Sequence, residues 1–355
     1  MKPRNPTPDA SEIALQVQGL SKSFHRRKRN PGFWGGITSF FSSETEEVPA
    51  VQDLSFSIRR GERVGLIGEN GAGKSTTLKM LTGILVPSRG TLEVLGLTPW
   101  RDRQKLALDM GVVFGQRPQL LWDIPVRETF SLLKTMYQVP DSVFTITYGE
   151  AVRRLGLEPL LGTPVRQLSL GQRMRCDLAA SFLHAPAVAF LDEPTIGLDV
   201  SVKEQVREYI LDMHRRFGIT LLITTHDLKD ITEVCKRLLV LDRGRLLFDG
   251  SIKGFVNKFA RERRLVAELH SPPSPTVLKR FKSEVSRLGG HVVASEDRRV
   301  AVEYMREGAT PRLTQLLLKR LSVVDLALEK TDIERIVARL YRRQTGSGTT
   351  KGPKT

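Results

Sequence analysis

The sequence predicts an α/β protein followed by a smaller α+β unit, and three observations carry that expectation. Gly68-Glu-Asn-Gly-Ala-Gly-Lys-Ser75 has the form G-x-x-x-x-G-K-[ST] and lies between an apolar run and a helical pattern. From Arg63 to Thr224, short apolar runs alternate with helical stretches, as expected of βαβ units around a parallel sheet. Beyond Arg264 the order becomes βαββαβ, that of a ferredoxin-like domain.

Each element has a local reason. Residues 1–11 are polar and proline-rich and are expected to be disordered, with the first domain running over 12–250. Ile13–Val17 and Leu54–Ile58 read as strands, the second with clean alternation. Between them an insertion spans 26–49, opening with the basic knot Arg26-Arg-Lys-Arg29. Trp34, Ile37 and Phe41 fall on one helical face of that insertion, which either packs on its own domain or docks on a membrane surface. Arg63–Ile67 reads as a buried strand, and Ser75–Thr82 as a helix that stops at Gly83. Strands follow at Gly90–Val94 and Gly111–Phe114, then a helix-rich stretch from Val126 to Leu161. Val188–Asp192 and Thr220–Thr224 are further apolar strands, and Arg237–Asp249 is a hairpin turning at Asp242–Arg245.

A linker helix is expected over 251–263, and the accessory domain over 264–343. In that domain strands at Leu265–Leu269, His291–Ala294, Val300–Tyr304 and Val323–Leu328 alternate with helices at Thr276–Leu288 and Pro311–Leu321. Thr310 before Pro311 suits an N-cap, and Thr331 with Glu334 a capping box opening a last helix from Asp332. Residues 344–355 form a polar tail.

Composition bounds the partners. A hydrophobic fraction of 40% suffices for a sizeable core, and no apolar run approaches the roughly 20 residues that span a bilayer. Met1–Pro6 has no apolar stretch of the secretory kind. Cys176 and Cys235 show no metal spacing and suit free, buried thiols of a cytosolic protein. The net charge of +16, much of it after Ser251, attracts nucleic acid, anionic lipid or acidic protein without choosing among them.

The chemistry starts at the glycine loop. Strand, glycine loop and helix N-terminus in that order make a polyphosphate site, because successive N–H groups turn inward where glycines permit the curl. Lys74 reaches the β- and γ-phosphates, and Ser75 Oγ can ligate Mg²⁺. Asp192-Glu193 ends an apolar strand at the sheet edge where such loops meet. Asp192 there suits Mg²⁺ through water, and Glu193 suits polarising the attacking water.

Leu168-Ser-Leu-Gly-Gln172, Leu191-Asp-Glu-Pro-Thr195, Gly197-Leu-Asp199, Thr225-His226-Asp227 and Gln116 follow in order. Over about residues 13–250 the chain resembles the nucleotide-binding subunit of an ATP-binding cassette (ABC) transporter. The resemblance implies a P-loop ATPase core with a mixed sheet, an antiparallel β subdomain and a helical subdomain. It implies ATP and Mg²⁺, and a head-to-tail dimer in which one subunit's phosphate loop faces the other's signature. By position, Gly68, Glu69, Asn70, Gly71, Ala72, Gly73, Lys74, Ser75 and Thr76 would be Walker A, and Asp192 the Walker B aspartate. Glu193 would be the general base, Gln116 would sense Mg²⁺ and the membrane partner, and His226 would contact the γ-phosphate. Asp199 would lie in the loop linking the two sites, while Ser169 and Gly171, with Gln172 beside them, would meet the opposing γ-phosphate.

Two positions depart from the family pattern. Leu170 stands where the family has glycine, and Phe24 precedes the insertion where an aromatic residue stacks on adenine; Phe24 suits either stacking or core packing. The insertion, Phe114-Gly-Gln116 with Trp122-Asp123, and Leu168–Arg175 look like a bacterial subgroup whose members pair with separate permeases in multidrug- or viologen-type exporters. The implied partners are a multi-span permease and a second ATPase subunit, in a homodimer or heterodimer on the cytoplasmic membrane face. An alternative is a soluble ABC ATPase acting on ribosomes or nucleic acid. Ribosomal members carry two cassettes and DNA-repair members long coiled coils; this chain has neither pattern. A polysaccharide exporter fits less well, since its appended domain is typically a β-sandwich; here a βαββαβ tail regulates, dimerises or lies near anionic lipid.

Overall fold

The computed structural model describes residues 12–27, 45–115, 118–225, 227–259, 262–305, 309–329, 333, 336–337 and 340. Expectations for both tails, for Trp34, Ile37 and Phe41, for Gln116 and His226, and for the Thr331–Glu334 capping box lie outside them, and of the helix expected from Asp332 only 333, 336–337 and 340 are described, all helical. The chain divides into two units, residues 1–252 and 253–355.

In the first unit, β1 (Ile13–Arg27), β2 (Thr45–Arg59) and β4 (Arg89–Val94) form a three-stranded antiparallel sheet in the order β2-β1-β4. Residues 26–27 and 45–49 extend the β1–β2 ladder, Arg26 opposite Glu46, so the strand pair runs into the segment expected as insertion. Leu15, Val17, Leu20, Leu54, Phe56 and Ile58 turn inward from it, as the alternation requires.

The second sheet has the order β5-β6-β7-β3-β8-β9, with β3 (Arg63–Gly68), β5 (Met110–Phe114), β6 (Val188–Asp192), β7 (Thr220–Thr224), β8 (Arg237–Asp242) and β9 (Arg245–Ser251). All its pairings are parallel except β8–β9. β6 and β7 are apolar without alternation and buried along nearly their whole length, as strands covered on both faces must be. Because β3, β6 and β7 run in one direction, their carboxyl ends share an edge. That register sets Asp192 beside Thr224 and Thr224 beside Leu66.

The helices are α1 (Lys74–Leu81), α2 (Arg103–Ala107), α3 (Val126–Met136), α4 (Asp141–Leu155), α5 (Leu170–Phe182), α6 (Val200–Phe217) and α7 (Leu228–Val234). α3, α4 and α5 pack as the helical subdomain, and α4 also meets α6. Apart from the half-buried Arg175, α5 is buried from Met174 through Phe182, which brings its capped N-terminus to the surface and its body into the core. Cys176 and Cys235 are buried free thiols whose pKa burial pushes up to about 12.

The second unit begins within α8 (Ile252–Phe259) and continues β10 (Glu262–Leu269), α9 (Pro275–Arg287), β11 (Gly290–Glu296), β12 (Arg299–Met305), α10 (Thr310–Arg320) and β13 (Val323–Glu329). Its sheet is antiparallel in the order β11-β12-β10-β13, the ferredoxin-like arrangement. Phe281 and Val285 of α9 and Leu313 and Leu317 of α10 share one core with Leu265, Ala267, Val300 and Val302. One expectation fails locally: α10 is capped by Ala309, not Thr310. The Thr310 hydroxyl hydrogen-bonds the Tyr304 hydroxyl at 2.7 Å, so the buried Tyr304 competes it away from the helix end. Among the described residues no helix is long and apolar enough to cross a membrane.

Candidate nucleotide site

The site is assembled where β3 ends. Gly68 closes the strand, and a Cβ there would sit 2.8 Å from both Leu241 O and Ala72 Cβ. Gly73 holds φ 100° at the N-terminus of α1, and a Cβ on it would lie 2.6 Å from Ala50 O. Both glycines are therefore required by the curl itself, with backbone on the far side that cannot yield. Glu69, Asn70 and Gly71 are exposed across the loop, while Ala72 and Lys74 are buried beneath it. The Lys74 ammonium donates to Gly68 O at 2.7 Å and to Glu69 O at 3.1 Å. Burial pulls its pKa down, and the Glu193 and Asp192 carboxylates oppose that pull. Those carboxylates therefore stand close enough to the ammonium to act on it electrostatically.

Ser75, Asp192 and Glu193 line one cleft of about 260 Å³ together with Lys79, Ile84, Phe114, Gly115 and Ile196. Asp192 accepts a hydrogen bond from the Thr224 hydroxyl, which orients the carboxylate at the edge of the sheet. Gly115 N–H donates to Asp192 O at 3.1 Å, so the chain leading to Gln116 leaves β5 directly beside Asp192. Glu193 adopts φ 53°, a left-handed conformation unusual for this residue type. Its N–H donates to Thr224 O at 2.9 Å. Thr76 follows Ser75 in the first turn of α1 and is half-buried.

A divalent cation in this cleft would be held by the Ser75 hydroxyl and the Asp192 carboxylate, both oxygen donors of the kind Mg²⁺ takes. Among the described residues no group of three or more His, Cys, Asp or Glu forms a cage of its own. A Cβ-free cradle, a buried ammonium and two carboxylates on one cleft suit a triphosphate, its divalent cation and an attacking water.

The other motif residues lie elsewhere. Ser169 caps α5: its Oγ accepts from Gln172 N at 3.2 Å, and Gln172 Oε1 accepts from Ser169 N at 2.9 Å. That reciprocal cap gives Gln172 a structural task and leaves Ser169 and Leu170 exposed, with Gly171 half-buried, at the start of the helix. None of them lines the cleft that holds Ser75 and Glu193. Leu170 is 50% exposed and lies across Gly197: a Cβ built there would fall 2.9 Å from Leu170 Cδ2. The substituted signature position thus touches the 197–199 loop of its own chain. Asp199 precedes α6 and caps it without a side-chain bond. Phe24 is 41% exposed, with Lys22 Nζ 5.6 Å from its ring centroid, so it stands outside the β-subdomain core.

Sequence reasoning missed three polar groups. Asp230 is buried against Arg207, Thr195 and Thr225. Asp177 is buried on α5 and accepts the Gln119 and Leu120 N–H groups. Arg173 lies 4.9 Å over the Trp122 ring, joining the α5 start to the segment after β5. An aspartate at a helix position that otherwise faces inward was the available signal for the first two.

Residues 51–196 match a family model described as ABC transporter. The chain is 35% identical over 230 residues to the Nod factor export ATP-binding protein I of Ralstonia nicotianae, covering 63% of this chain and 71% of that protein. It is 28% identical over 291 residues to the methionine import ATP-binding protein MetN 2 of Bacillus licheniformis, covering 80% of this chain and 82% of that protein. Among solved structures, a dimeric ATP-binding cassette in a post-hydrolysis state bound to ADP and Pi superposes with a TM-score of 0.56 at 22% identity. That match covers 67% of this chain and 98% of the other.

Proposed function

Because the chain belongs to the ATP-binding proteins of ABC transporters, and is an ATPase of that kind, we propose that it powers export through a separate permease. The observation that carries the proposal is the cleft on which Ser75, Asp192 and Glu193 meet next to the glycine cradle and Lys74. The loop amides and Lys74 hold the β- and γ-phosphates, and Ser75 with Asp192 holds Mg²⁺. When bound, the cation neutralises charge on the transferring phosphoryl group. Glu193 accepts the proton of the attacking water. Gln116 and His226, which follow β5 and β7 in the sequence, take part in the same reaction.

Two copies close head-to-tail, with Ser169 and Gly171 of one facing the phosphate loop of its partner. The exposed, capped α5 terminus supports this, since a helix start favours an anion and Ser169 is not part of the cleft on its own chain. Asp199 then lies between the two sites, and Phe24 offers its exposed ring to adenine. Assembly with a multi-span permease places the protein at the cytoplasmic face of the membrane. Export rests on the 35% identity to the Nod factor export protein. Import is the second reading, favoured by the alignment with the methionine import protein, which spans 80% of this chain. ATP-driven flux in vesicles carrying the chain with its co-isolated permease separates the two by direction.

The test of the site is Glu193→Gln. ATP binding is expected to persist while steady-state hydrolysis falls by about 100-fold or more, the usual range for losing a general base. Normal turnover in that variant removes Glu193 from its role.

A further inference from the structure

We propose that Asp230 is a positioning residue for turnover: one buried carboxylate anchors both the loop that carries Glu193 and the loop that begins at Thr225. Asp230 is 3% exposed, in the first turn of α7. Its Oδ2 accepts from Thr195 Oγ1 at 2.5 Å and from Thr225 Oγ1 at 3.4 Å, and its Oδ1 accepts from Arg207 Nη1 at 2.8 Å. Thr225 Oγ1 in turn accepts from Asp227 N at 2.9 Å. Arg207, on α6, is itself buried and also faces Glu233.

A buried ion pair is weak support for stability, because desolvating two charges offsets their attraction. Its use lies in placing the groups it bonds. Here those groups include the Thr195 hydroxyl, on the segment between the cleft-lining Glu193 and Ile196, and the Thr225 hydroxyl, just beyond β7. Thr195 lies two residues beyond Glu193, and the turn between them is tight: Ile196 N–H donates to Glu193 O at 3.2 Å. Glu193 holds φ 53°. A strained residue persists only where its surroundings over-determine it. Glu193 is held from one side by the Thr224 carbonyl and from the other by Thr195 on Asp230. Loss of the Thr195 anchor frees the turn to relax, and a displacement near 1 Å at a reacting group lowers rate by up to about 100-fold.

The inference rests on Glu193 as general base, and the experiment separates the two claims. Thr195→Val removes one hydroxyl and keeps the shape; Thr195→Ser keeps the hydroxyl; Asp230→Asn keeps the shape and removes the charge. In the full-length chain, kcat and KM for ATP hydrolysis, ATP affinity and the thermal midpoint are measured for each, beside Glu193→Gln. Thr195→Val and Asp230→Asn are expected to lower kcat by about 10-fold or more with ATP affinity within about twofold of the parent, and Thr195→Ser to recover most of the rate. Thr195→Val with parental kcat, while Glu193→Gln is inactive, overturns the positioning role and leaves the base intact. A parallel loss of ATP affinity overturns it in favour of a general structural role. Normal turnover in Glu193→Gln would strike the base assignment itself. Should Asp230→Asn fail to fold, the Thr195 pair decides.

Discussion

Asp177→Asn is expected to stabilise the protein at neutral pH and not in acid. Asp177 is 7% exposed on α5, and its Oδ1 accepts from Gln119 N at 2.8 Å and Leu120 N at 3.4 Å. Burial pushes the carboxyl up to about 6, against the opposing pull of those two N–H donors and Arg173. In the unfolded chain the same group titrates at about 3.9. The folded state therefore binds the proton more tightly, and its stability falls as pH rises from about 4 to about 6. A shift of about 2 units corresponds to about 3 kcal/mol, lost in full above that window. Asparagine keeps an oxygen for both N–H groups and carries no charge, so it escapes that loss. Urea unfolding of parent and variant between pH 4 and pH 7.5 reads the difference: the variant's advantage should shrink by up to about 3 kcal/mol on acidification. A difference that stays constant with pH, or a variant that loses most stability at pH 7.5, refutes the reasoning. The carboxylate would then be favourably bound despite its burial.

Two further outcomes follow from the exposed residues around the site. Phe24→Ala should raise KM for ATP about fivefold, as expected for losing about 1 kcal/mol of stacking, with no change in thermal midpoint. A lowered midpoint with unchanged KM would return Phe24 to a packing role. Leu170→Gly removes the side chain lying over Gly197 and is expected to raise ATP turnover severalfold without altering ATP affinity of the monomer. Glycine in the first turn costs about 1 kcal/mol of helix stability, visible as a small fall in midpoint. Unchanged turnover would show that Leu170 does not restrain closure.

The glycine loop and the carboxylate-tipped strand were legible because each is local. Gly68–Ser75 encodes a curl and a helix start within eight residues, and the apolar run ending at Asp192 encodes a strand with a carboxylate at its tip. Periodicity likewise placed the four strands and two helices of the second unit. Where a polar side chain had two possible partners, the sequence did not decide between them. Thr310 suits a helix cap by its neighbours, yet Tyr304 takes its hydroxyl. Gln172 suits a phosphate contact by its motif, yet its side chain closes the α5 cap.

The sequence alone determined the phosphate cradle, the carboxylate strand and the class of both units, since glycine conformations and hydrophobic periods act over a few residues. The order of the motifs led us to expect Ser75 and Glu193 to meet, and the folded chain brings the two, more than a hundred positions apart, onto one cleft. Only the folded chain decided that Asp230 grips both flanking loops, that Leu170 lies on Gly197, and that Phe24 stays outside the core. Such contacts depend on parallel strands ending at a common edge and on which buried charge finds a partner. Those are pairings between distant segments, and no local pattern records them.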